Sequence, residues 1–96
     1  MGFLLAFFGI MGGFMILKDL LKENDKFVVI LNENNRKEFL TQAKKEGFKW
    51  YSGKEIQEKD ECFFHIMVEK DDKISNISTM CYVKSKELQA LPKYEY

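Results

Sequence analysis

The sequence predicts an α+β protein: an N-terminal apolar helix over residues 1–23, a small β-α-β-β-β domain over 24–91, and a tail over 92–96. Three observations carry that prediction. Residues 1–17 contain no charged side chain, and the 15 basic and 15 acidic residues all follow them. Lys26-Phe27-Val28-Val29-Ile30-Leu31 is an apolar run of strand length, expected to be central and buried on both faces. Cys62–Glu69 and Ile77–Lys84 then alternate with period two, as in strands that bury one face.

The uncharged segment comes first. At 1.5 Å per residue, 17 helical residues reach about 25 Å, against roughly 30 Å of bilayer hydrocarbon. Leu20 and Leu21 extend the stripe to residue 21, and Lys18 can snorkel. Its four glycines disfavour a soluble helix, while membrane helices tolerate them. Gly9 and Gly13 have the spacing that lets two helices approach closely. No basic region precedes the run and no small-residue cleavage site follows it, so a secretion signal fits poorly. Lys18, Lys22 and Lys26 all follow it, which places the domain in the cytoplasm and the N-terminus outside. The alternatives are a cytoplasmic protein with this helix packed on the domain, or translation from Met11 or Met15.

After the first strand, Asn35 and Glu38 have capping-box spacing and start a helix. Phe39, Leu40 and Ala43 form its apolar stripe, and Gly47 ends it. Phe48–Tyr51 is predicted as a short strand before a Ser52-Gly53 turn. Cys62–Glu69 and Ile77–Lys84 are expected to pair as a hairpin around Glu69–Lys73. With one helix on one face of a mostly antiparallel sheet, Cys62, Phe64, Ile66, Val68, Cys81 and Val83 would pack beneath it. Phe63, His65, Met67, Met80 and Tyr82 would form a second, apolar face that needs cover. A host protein, a second copy of the chain, the leader or the tail could supply that cover.

Asn32–Lys54, with Lys37-Glu38-Phe39-Leu40 and Gly47-Phe48-Lys49-Trp50-Tyr51-Ser52-Gly53-Lys54, resembles small accessory proteins of phages and mobile elements of Gram-positive bacteria. The resemblance covers about a quarter of the chain and implies binding to a host protein, in some cases one of a defence system. It transfers no functional residue.

The balanced charge argues against a strongly basic nucleic-acid binder. Lys44, Lys45, Lys49 and Lys54 surround Phe48, Trp50 and Tyr51, so Lys49, Trp50 and Lys54 are the candidate contacts to single-stranded nucleic acid. A core Trp bordered by solubilising lysines is favoured over that reading. Cys62 and His65 lie three apart on the expected strand and point to opposite faces, so with Cys81 they do not make a zinc site. No metal or other cofactor is expected. Cys62 and Cys81 would be near neighbours, as free thiols of a reducing compartment rather than a bridge. His65, the one histidine, has no neighbouring carboxylate to orient it for catalysis. The acidic pairs Asp60/Glu61 and Asp71/Asp72 sit in expected turns, and the Asn76-Ile77-Ser78 sequon would be idle in a cytoplasmic domain. The reading is therefore a non-enzymatic, membrane-anchored binding protein. Its alternatives are a soluble protein acting on a nucleic-acid machine and a membrane-perturbing small protein.

Overall fold

The computed structural model describes residues 16–96. The element order is α1 Leu17–Glu23, β1 Lys26–Ile30, α2 Arg36–Lys45, β2 Lys49–Trp50, β3 His65–Glu69, β4 Lys73–Ile77, α3 Thr79–Lys84, α4 Lys86–Ala90 and β5 Lys93–Glu95. The strands form one five-stranded sheet in the order β2-β4-β3-β1-β5. β3 runs antiparallel to β1 and β4, while β5 joins β1 and β2 joins β4 in parallel. The chain is α+β as expected, but the sheet is mixed rather than mostly antiparallel, and helices lie on both of its faces.

Alternation assigns the faces. Phe27 and Val29 of β1, Ile66 and Val68 of β3 and Ile74 of β4 point to one side, where they form the main core with Leu17, Phe39, Leu40, Ala43, Phe48, Ile56 and Cys62. Val28, Ile30, His65, Met67, Ser75 and Ile77 point to the other side. β1 is doubly buried as its apolar run predicts, with Phe27, Val28 and Val29 all fully buried, but it lies between β3 and the edge strand β5, and β3 is the central strand.

α2 forms where the sequence places it and buries Phe39, Leu40 and Ala43. Its start differs from the capping box: Asn35 offers no side-chain cap, and its Oδ1 accepts instead from the Asn32 N–H at 2.9 Å. Its end follows the Gly47 expectation. With φ at +89°, Gly47 lets its own N–H reach the Lys44 carbonyl at 3.0 Å and the Phe48 N–H reach the Ala43 carbonyl at 2.9 Å. That is the double bond of a Schellman motif, and Phe48 turns into the core beyond it.

Two corrections concern the C-terminal half. The first hairpin strand is His65–Glu69, without Cys62–Phe64, and its partner is Lys73–Ile77 rather than Ile77–Lys84. The ladder runs into the charged segment because Glu69 pairs directly with Lys73. Only Lys70, Asp71 and Asp72 remain to turn the chain. Asp71 and Asp72 take φ of 74° and 57°, a left-handed conformation that Asp adopts more readily than most residues. Residues 79–84 are helical because Ser78 stops the strand: its Oγ accepts the Cys81 N–H at 3.1 Å, an N-cap that offsets the β-branched alternation. Lys93–Glu95, expected within the tail, is an edge strand, and Tyr94 meets Phe27 edge-on at 5.3 Å.

A third correction concerns the boundary of the leader. Leu17 is fully buried, and Leu20 and Leu21 pack against the same core. The Glu46 carboxylate accepts the Leu17 and Lys18 N–H groups at 3.0 and 2.9 Å, which caps α1 from a different helix. Lys18, expected to snorkel, lies 3.7 Å from Asp72. Leu17–Glu23 therefore belongs to the folded unit. Among the described residues no helix is long and apolar enough to cross a membrane. Gly9, Gly13, Met11 and Met15 lie outside the described residues.

The parallel links cross the sheet twice. β1-α2-β2 passes over the core face, and β4-α3-α4-β5 passes in the opposite direction over the second face. Reversing both direction and face preserves handedness, so the two crossovers share one hand.

Candidate functional site: the second sheet face and its crossover

The second face is the surface from which the sequence expects binding, and the chain covers it with α3 and α4. Val28 is fully buried there and Ile77 is 7% exposed, yet neither helix contributes a buried residue. The crossover is held mostly by bonds within itself. Ser85 ends α3, where its N–H donates to the Cys81 carbonyl at 3.0 Å, and caps α4, where its Oγ accepts the Leu88 N–H at 3.1 Å. The Gln89 amide donates to the carbonyls of Tyr82 and Val83 at 3.1 and 2.6 Å, tying α4 back to α3. Lys93 Nζ donates to the Gln89 carbonyl, and the Val28 N–H donates to the Pro92 carbonyl at 2.8 Å.

The expected binding residues part company here. His65 and Tyr82 stack with ring centroids 4.3 Å apart and planes 20° from parallel, joining sheet to helix. Phe63 and Met67 are partly buried, with Phe63 in the loop before β3 rather than on a strand. Met80 is 64% exposed on the outer side of α3, and Val83, one turn on, is 61% exposed. Val83, assigned to the core face by alternation, thus lies outside on the opposite side of the molecule. Phe64, assigned likewise, is 41% exposed under the Arg36 guanidinium, 4.9 Å from its ring centre.

His65 carries the one unpartnered buried polar side-chain atom among the described residues, its Nδ1. Burial alone lowers its pKa from the ordinary 6.5. A buried N–H with no acceptor costs about 1–3 kcal/mol. A cation over an aromatic face returns only about 0.5–1 kcal/mol at a partly exposed site. Neutral imidazole is therefore the form that this stack favours.

The other candidates are occupied. The Trp50 indole N–H donates to Asp60 at 2.7 Å, and the Gln57 N–H donates to the same carboxylate oxygen at 2.9 Å. These bonds, that from Trp50 foremost, hold the Asp60 carboxyl below its usual pKa. The Trp50 ring packs against the core, which leaves Lys49 and Lys54 exposed beside Tyr51 instead of a free stacking platform. Asn76 is committed to structure: its Oδ1 accepts from the Phe63 N–H at 2.8 Å and its Nδ2 donates to the Glu61 carbonyl at 3.0 Å. An open groove of about 480 Å³ runs between α2 and residues 58–62. Glu33, Glu58, Asp60 and Glu61 there offset Arg36, Lys37 and Lys59, and the guanidinium already donates to the Cys62 carbonyl at 2.8 Å.

Cys62 and Cys81 are free and are not the neighbours that the expected hairpin makes them. Cys62 is buried in the main core, where burial pushes its thiol up to about 11, and Cys81 is exposed on α3 across the sheet. A thiol with so high a pKa is a weak nucleophile at neutral pH. Among the described residues no three His, Cys, Asp or Glu side chains are grouped to hold a metal ion. No protein-family model matches the chain, and neither a characterised protein nor a solved structure matches it.

Proposed function

We propose that this chain is a non-enzymatic binding protein whose α3 engages another protein, with the uncharged N-terminal segment holding it at a membrane. The observation that carries the reading is the exposed pair Met80 and Val83 on one side of a capped helix. α3 has no acidic residue in its first turn and ends in Lys84, followed by Lys86 on α4. The partner chemistry that fits is an apolar pocket edged with carboxylates. A host protein is the partner class that the resemblance over Asn32–Lys54 implies.

This reading moves the expected contact surface from the sheet to the outer side of α3. Of the residues expected to bind, Met80 stays in the contact, and His65 and Tyr82 hold the helix that presents it. Nucleic-acid binding through Lys49, Trp50 and Lys54 is disfavoured because the Trp50 indole is tied to Asp60. With Leu17 packed in the core, the segment left for membrane contact is residues 1–16.

The test uses the full chain carrying a photoreactive phenylalanine at Met80, and a control carrying it at Tyr51. A single crosslinked protein from position 80, absent from position 51 and lost on adding Val83→Lys, is expected. Sequencing the crosslinked peptide should locate it beside an acidic-rimmed apolar pocket. Equal products from both positions, or none from position 80, would sink the reading.

A further inference from the structure

We propose that the α3–α4 crossover is a proton-sensitive flap: protonation of His65 beneath Tyr82 loosens both helices from the sheet and uncovers Val28, Met67 and Ile77. The proposal stands on where the stack lies. His65 opens β3 opposite Ile77, the last residue of β4, and Ser78 then starts the crossover. The ring pair at 4.3 Å is thus placed at the root of the flap. Its Nδ1 is buried without a hydrogen-bond partner, so an imidazolium would carry an unmatched N–H there. The flap has little else to resist opening. Its helices are six and five residues long and have no fully buried side chain, Tyr82 and Leu88 being partly buried. Helices of that length do not hold together in water without tertiary support.

Among the described residues no anion is placed to compensate. Along the row across the sheet, Ile77 and Ile30 flank His65, and Glu95 of β5 lies beyond Ile30. Along β3, Met67 separates His65 from Glu69 on the same face. Lys26 of β1 and Lys73 of β4 sit at the far end, level with Glu69. α3 presents the Tyr82 phenol, with Cys81 and Lys84 exposed, and α4 carries exposed Lys86 and Glu87. None of these forms an ion pair with His65, and burial is the sole cause of its lowered pKa.

The sign follows from which state binds the proton more tightly. With the flap open, His65 is in water and has its ordinary value near 6.5, above the value in the closed state. The closed flap therefore keeps its full stability above 6.5 and loses it as pH falls from there through the lowered value. Attraction between an imidazolium and the Tyr82 ring would work in the opposite direction.

The test is amide hydrogen exchange on the full chain at about pH 7.5 and about pH 5.5, either side of the free imidazole value, corrected for intrinsic chemical rates. In the wild type, protection of Tyr82, Ser85, Leu88 and Gln89 should fall at the lower pH, while that of Val29, Phe39 and Leu40 should not. His65→Phe keeps a stacked ring that cannot titrate and should show no pH-dependent loss. If it disturbs the fold, as loss of α2 protection would reveal, His65→Gln serves the same purpose. Unchanged or increased α3 protection on acidification would overturn the proposal, as would an equal loss in the variant. None of these outcomes depends on whether α3 binds a partner.

Discussion

On one face of the sheet, α1 and α2 press Leu17, Phe39, Leu40 and Ala43 to 1% exposure or less against Phe27, Ile66 and Val68. On the other face, α3 and α4 have no fully buried residue, although Val28 beneath them is fully covered. Both sets of helices shield apolar strand residues from water, but only the first inserts fully buried side chains among them. The first cover is continuous with the core. The second is laid over the sheet and fixed by Ser78, Ser85, Gln89 and one ring stack. Elements with few buried contacts open at free energies below that of global unfolding. One small sheet can thus pair a rigid side with a side able to respond.

The sharpest way to break this comparison is in the core. Phe39→Ala should lower unfolding stability by about 3–5 kcal/mol, read from urea midpoints at constant m. Leu17→Ala should cost about 3 kcal/mol, a loss that an appended leader would not show. Glu46→Ala removes the acceptor for two N–H groups of α1 and should cost about 1 kcal/mol, with faster exchange confined to Leu17 and Lys18. Asp60→Asn should lower the urea midpoint at neutral pH, because the ionised carboxylate accepts from Trp50 and Gln57. Its folded pKa lies below 3.8, so that contribution is full above 3.8 and disappears as pH falls through the folded value. The gap between wild type and variant should therefore close in acid. Met80→Lys, on the open side of the second cover, should move stability by no more than about 0.5 kcal/mol in either direction.

What the sequence made legible tracks the same divide. β1, α2 and the Gly47 stop are set by strong local signals, and tertiary packing agrees with each. α1 was obscured by the uncharged run before it. Its signal was Leu17, Leu20 and Leu21 at helical spacing, with Lys18, Asp19, Lys22 and Glu23 between and after them. The strand expected at Ile77–Lys84 fails because Ile77, Thr79, Cys81 and Val83 alternate as a strand would, while one Ser78 side chain caps a helix. The polar residues Ser75 and Asn76 concealed the strand that does form. Asn76 sits in it because it clamps Glu61 and Phe63, a long-range role without a local signature. The candidate site follows suit. The sequence singled out His65, Tyr82 and Met80, but it set them on one sheet face, whereas a helix crossing that face pairs the first two and turns the third outward.

The most direct measurement is native-state hydrogen exchange of the full chain across low urea concentrations at neutral pH. Amides of α3 and α4 should exchange through a small opening nearly independent of urea, well below the free energy of global unfolding, while those of α2 and β1 follow the global transition. Exchange of all four elements with one free energy and one urea dependence would contradict the unequal covers on which this account rests.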